Sequence, residues 1–157
     1  METDEVPVSA MMHASSVVMQ DHAVLIRGDS GSGKSDLALR LLDRGARLLS
    51  DDQTRLQQSG FWVHAFPPPT IAGLMEVRGL GVVTIPGAVH SDDGYPVALV
   101  VDLVSSPDDL ERLPDQMTCH LCAVEVPSVQ VYGFAASAPM VVELALDVAL
   151  GRCSVIR

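Results

Sequence analysis

The residues with the plainest chemical use run from Gly28 to Ser35, where GDSGSGKS fits G-x-x-x-x-G-K-[ST] without a mismatch. Gly28, Gly31 and Gly33 let the backbone wrap so that successive N–H groups point at phosphate oxygens. The whole run, Gly28, Asp29, Ser30, Gly31, Ser32, Gly33, Lys34 and Ser35, is the candidate nucleotide-binding segment. A helix beginning near Lys34 adds the positive end of its dipole. Lys34 can place an ammonium on β- and γ-phosphates, and the Ser35 hydroxyl suits Mg²⁺. An apolar strand precedes the loop and an amphipathic segment follows it, the context phosphate binding requires and a chance glycine-rich turn lacks.

A phosphate loop does not say where the phosphoryl group goes. Two apolar runs end in acids, LLSDD at Asp51-Asp52 and VALVVD at Asp102, and either could supply the carboxylate that faces Mg²⁺ or its water. The generic pattern favours Asp102, whose strand is longer and more apolar. The doublet lies sixteen residues after Ser35 and offers two roles, one carboxylate facing metal and one free to accept a proton from a hydroxyl.

The surrounding elements must position these groups. Ser15 to Met19 and Ala23 to Arg27 read as strands around a turn at Gln20-Asp21-His22. Leu37, Ala38, Leu41 and Leu42 repeat at helical spacing, with Gly45 where a helix-ending glycine belongs. Ala46 to Ser50 is a short strand. Gln53 to Gln57, Ser59-Gly60 and FWVHAF predict a hairpin with Phe61, Trp62 and Phe66 in its core, ended by Pro67-Pro68-Pro69. VALVVDL is a strand covered on both faces. Ser106 and Pro107 open a short helix, Thr118 to Val126 is a strand, and Ser137 to Leu150 a helix with Val141, Leu144, Ala145 and Val148 on its packing face. The expected architecture is mixed α/β around a central mixed β-sheet.

Composition bounds the function. The chain has 157 residues with 10 Lys plus Arg against 20 Asp plus Glu, a net charge of −10, so it lacks the positive surface that non-specific nucleic-acid or anionic-membrane binding needs. The opening METDEVP is acidic, unlike a secretory signal, and no apolar run reaches 18 residues; a cytoplasmic protein is expected. Cys119 and Cys122 form a C-x-x-C, but no second ligand pair has zinc spacing, and on a strand positions three apart face opposite ways. With Cys153 they are expected to be buried, reduced thiols.

Three motifs together resemble the catalytic domain of HPr kinase/phosphorylase, which phosphorylates a serine of the phosphocarrier HPr. They are His13, fifteen residues before Gly28; the stretch through GDSGSGKS to LLSDD; and EVRGLGVV, Glu76 to Val83, which matches the family's second signature. The resemblance moves the choice of acid from Asp102 to Asp51-Asp52. It implies a single-domain P-loop kinase of the HPr kinase/PEP carboxykinase-like fold. The implied layout is a flexible tail at 1–12, the catalytic domain at 13–151 and a C-terminal tail at 152–157. It implies Asp51 as the acid/base, Asp52 as support for that geometry or the metal, Ser35 and Glu76 as Mg²⁺ ligands, and Asp36 as the acid after the loop serine. His13 then lies near the transferred phosphate, with Lys34 and Arg78 neutralising charge.

The implied function is a Mg²⁺- and ATP-dependent serine kinase acting on an HPr-like carrier of a phosphotransferase system. The family's hexamer implies a homo-oligomer. The chain departs from the pattern in three ways: the N-terminal domain of longer members is expected to be absent, TIPGAVHSDDGYP stands where a basic loop follows the second signature, and Val126 to Pro139 holds no basic residue where the family has Gly-Arg-Asn. These losses argue against strong phosphorolysis and leave at most a weak reverse reaction; the chain resembles the short alphaproteobacterial versions of the family. A small-molecule kinase and a non-catalytic nucleotide-binding regulatory module are the alternatives.

Overall fold

The computed structural model describes residues 8–156. Its core is built on two neighbouring parallel strands, β3 (His22–Arg27) and β9 (Tyr95–Val104). Ala23, Val24, Leu25 and Ile26 are all fully buried, so β3 is covered on both faces and reads as an unbroken apolar run. Beyond β3 lie β2 (Ser15–Met19) and β4 (Arg47–Ser50), both antiparallel to their neighbours. Gln20 and Asp21, at φ 50° and 59°, make the tight turn between β2 and β3.

On its other side β9 is shared. Its first residues pair with β6 (Trp62–Phe66), which continues antiparallel to β5 (Thr54–Ser59) and then β1 (Ser9–Met12). Its later residues pair in parallel with β11 (Val124–Tyr132), which carries β10 (Met117–Leu121) antiparallel. The order is therefore β1-β5-β6-β9-β3-β2-β4, with β11 and β10 branching from β9. A separate hairpin joins β7 (Leu74–Val77) and β8 (Gly81–Thr84).

Helices α1 (Lys34–Asp43) and α2 (Ala138–Ala149) cover one face, with Leu37, Leu41, Val142 and Leu146 packed on Val24, Ile26, Leu99 and Val101. The other face is closed by the sheet itself: Leu25 and Val100 meet Leu49, Leu56, Val63, Leu121 and Val126. The sheet curls over its own second core. This is the expected mixed α/β architecture.

Several local expectations are corrected. Ser9–Met12, placed in a tail by sequence, forms strand β1 on β5; residues 1–7 and 157 lie outside the described residues. Thr118 to Val126 is a hairpin rather than one strand, because Cys122 and Ala123 turn the chain at φ 48° and 66°. The short helix after Ser106 is a single 3-10 turn, Pro107–Asp109, capped by Ser106 Oγ accepting from Asp108 N–H at 3.2 Å. Phe61 and Trp62 are exposed at the end of the β5–β6 hairpin rather than in a core. Helix α2 packs through Ala138, Val142 and Leu146, while Val141 and Leu144 face outward. Among the described residues no helix is long and apolar enough to cross a membrane.

Candidate active site

Strand β3 delivers the chain to Gly28, and the turn to α1 is tight. Ser32 N–H donates to Asp29 O at 3.0 Å, and Gly31 and Gly33 sit at φ 82° and 97°, where a side chain would be strained. A Cβ at Gly28 would lie 2.6 Å from Ser32 Oγ and 3.1 Å from Leu103 Cβ, so a side chain there would crowd the turn. Lys34 is buried, and its Nζ donates to Gly28 O at 2.9 Å and Asp29 O at 3.2 Å. Gly33 gives α1 no side-chain cap, so the first-turn N–H groups have none of the usual intramolecular acceptors. Ser32 Oγ is buried with no protein partner. An orphaned hydroxyl, an uncapped helix N-terminus, a glycine cradle and a lysine fit a polyphosphate.

The acids come from topology. The chain passes between the two wings of the sheet at two short crossovers, His13-Ala14 between β1 and β2 and residues 51–53 between β4 and β5. Because β1 pairs with β5 and β2 with β4, these crossovers run side by side in opposite directions. Small buried hydroxyls seal them: Ser16 Oγ and Thr54 Oγ1 are 2.9 Å apart, and Thr54 Oγ1 donates to Ala14 O at 2.9 Å. Ser15 Oγ donates to Asp51 Oδ1 at 3.1 Å and accepts from Asp52 N–H at 3.1 Å.

The doublet is thereby split. Asp51 is buried and takes three donors: Ser35 Oγ at 2.7 Å and Ser15 Oγ at 3.1 Å on Oδ1, and Glu76 N–H at 3.1 Å on Oδ2. Asp52, at φ 70°, turns outward and accepts from His13 Nε2 at 2.7 Å, with its side chain 62% exposed. Asp51 was expected to take the acceptor's proton. In the structure it is buried, and its carboxylate already takes three donors, Ser35 among them. Asp52 has the open oxygen.

Ser35 and Asp51 fit a small hard cation that keeps water and phosphate oxygens as its other ligands. Among the described residues no three His, Cys, Asp or Glu side chains converge on one point, so such an ion depends on phosphate oxygens. Glu76 reaches the cluster through its backbone; its side chain is exposed on the β7–β8 hairpin, with Arg78 exposed in the turn beyond. Asp36 faces Arg40 rather than the loop, accepting from its Nε at 3.0 Å. Asp102 pairs with the guanidinium of Arg27, which raises the pKa of that group, chiefly through their hydrogen bond.

The cysteines stay out of this chemistry. Cys119 and Cys122 are half-buried and Cys153 is exposed, so only part of the expected burial holds; all three are free thiols. Burial pushes the Cys119 and Cys122 thiols up, which keeps them protonated at neutral pH. Sequence reasoning passed over Ser15, whose sole signal is a polar pair opening an apolar strand. It also passed over Arg40, which donates to the Gly133 and Ala135 carbonyls in the loop after β11, and Phe134, whose ring lies against Gly33.

Comparison with known proteins agrees with this geometry. Over 129 residues the chain is 37% identical to the HPr kinase/phosphorylase of Lacticaseibacillus casei, covering 76% of this chain and 40% of that protein. It is 35% identical over 131 residues to that of Enterococcus faecalis, covering 79% and 42%. The chain thus spans about 40% of the length of the curated relatives it matches. Among solved structures, the HPr(Ser) kinase/phosphatase from Coxiella burnetii superposes with a TM-score of 0.75 at 27% identity, over 87% of this chain and 93% of that one. Residues 4–149 match the model of the HPr serine kinase C-terminal domain, and the chain belongs to that family.

Proposed function

We propose that this chain is a Mg²⁺- and ATP-dependent protein serine kinase whose acceptor is an HPr-like phosphocarrier, with Asp52 and not Asp51 accepting the serine proton. The family supports the acceptor class, and the phosphate loop supports the donor. Mg-ATP, when bound, supplies the phosphoryl group and an ion that neutralises its charge. Lys34 and the α1 N-terminus hold the phosphates. Ser35 and Asp51 hold the metal side, Asp51 fixed by Ser15 and the Glu76 amide. His13 orients Asp52, whose second oxygen is open to the acceptor hydroxyl. Arg78 stands ready at the hairpin turn to add positive charge once an acceptor docks. Forward transfer is the principal direction, since the chain lacks the basic loops that would gather inorganic phosphate.

The single observation that carries the assignment is the unequal engagement of the two aspartates. Asp52→Asn is expected to keep nucleotide binding and lower transfer about 10²- to 10⁴-fold, the usual contribution of a positioned base. Asp51→Asn should instead raise the Mg²⁺ concentration needed for nucleotide binding. Mass spectrometry of the carrier after incubation with Mg²⁺ and ATP reads the first effect, and a Mg²⁺ titration of nucleotide affinity the second. Unchanged transfer by Asp52→Asn would remove it as the base.

A further inference from the structure

Phe134 stands just past the end of β11, 53% exposed and seated against the phosphate loop. A Cβ at Gly33 would lie 3.0 Å from Phe134 Cε1 and 3.1 Å from Cζ, so one edge of the ring covers the residue before Lys34. Tyr132 braces the ring edge-on, with centroids 5.9 Å apart and planes at 72°. The backbone beneath is clamped to α1: Arg40 donates to Ala135 O at 3.1 Å and to Gly133 O, while its Nε holds Asp36. Gly133 is itself a close approach, since a Cβ there would lie 3.2 Å from Ser32 O. A half-exposed aromatic ring is thus held rigidly beside the loop that grips phosphates. Phe61 and Trp62, also exposed, lie at the tip of the β5–β6 hairpin, where Trp62 sits by His22 with ring centroids 6.3 Å apart, at the opposite end of β3 from Gly28.

We propose that Phe134 is the platform on which the base of the bound nucleotide stacks. This rests on the nucleotide-binding reading above and deepens it. A nucleoside triphosphate gripped at Lys34 extends its sugar and base past the loop, and the ring at Gly33 offers the base a preorganised π-face. The Gly133 and Ala135 carbonyls are taken by Arg40, and Ala135 N–H by Tyr132 O at 3.2 Å. The backbone around the ring therefore has little left to read the edge of a base. Recognition falls on the face, which every base possesses.

Equilibrium binding of ATP, GTP and tripolyphosphate, each with Mg²⁺, to the wild type, Phe134→Leu and Phe134→Tyr tests this, with a thermal midpoint confirming that each variant is folded. Leucine keeps apolar cover over Gly33 and removes the ring. Phe134→Leu should weaken ATP and GTP alike by roughly 5- to 150-fold and tripolyphosphate by less than about twofold. Phe134→Tyr should stay close to the wild type. ATP binding unchanged in Phe134→Leu overturns the platform. So does an equal loss for tripolyphosphate, which would make the ring a support for the loop, or a loss confined to one base. A wild type that binds neither tripolyphosphate nor ATP would instead remove the phosphate site, and the platform would fall with it.

Discussion

Asp51 follows the last residue of β4 and Asp102 lies within β9, two residues from its end, and their partners decide what each can do. Asp51 is turned to Ser35, at the start of the phosphate-loop helix. Asp102 is turned to Arg27 across the β3–β9 pair, where both side chains are one-third exposed. Asp102→Asn leaves that guanidinium without its counter-charge; a half-solvated pair of this kind is worth about 1 kcal/mol. Urea denaturation should show that loss, with Mg²⁺-dependent nucleotide binding left intact. Loss of that binding would return Asp102 to the metal site. The residue pattern alone left the two acids open, because both close apolar runs in the sequence and run length does not report which helix a carboxylate faces. The unequal engagement of Asp51 and Asp52 was equally hidden: it depends on a left-handed backbone at Asp52 and on Ser15, from the neighbouring crossover.

At the scale of elements, helix limits were legible and faces were not. Ser137 and Leu150 flank α2 as expected, with Gly151 beyond at φ 75°. Yet α2 is apolar around most of its circumference, so two stripes compete and periodicity cannot choose between them. Packing chose Val142 and Leu146, both fully buried, while Leu144 is 57% exposed. Leu146→Ala is therefore expected to cost about 2–5 kcal/mol and Leu144→Glu no more than about 0.5 kcal/mol, by thermal or urea unfolding. A large cost for Leu144→Glu would mean that the outer stripe is covered. The β10–β11 hairpin escaped notice for a related reason. Cys122-Ala123 adopts the positive φ values of a tight hairpin turn without the Asn-Gly or Asp-Gly that usually announces one.

At the scale of the molecule, the phosphate loop could be read from one contiguous segment because strand, loop and helix are consecutive in the chain. The acid pair and His13 could not, since their meeting depends on β1 finding β5 and β2 finding β4, pairings 29 to 48 residues apart that lie on different wings of the sheet. Those two crossovers form a seam. The strand and helix that flank the phosphate loop lie wholly to one side of it, and β1, β5 and β6 lie on the other. Prising the wings apart would therefore strain the two crossovers that hold His13 against Asp52 while leaving the loop seated on β3. Partial unfolding should abolish the proposed activity in two stages: as urea rises, phosphoryl transfer is expected to vanish while nucleotide is still held, when both are followed in the same samples. Coincident loss would mean that the wings separate only when the whole fold gives way.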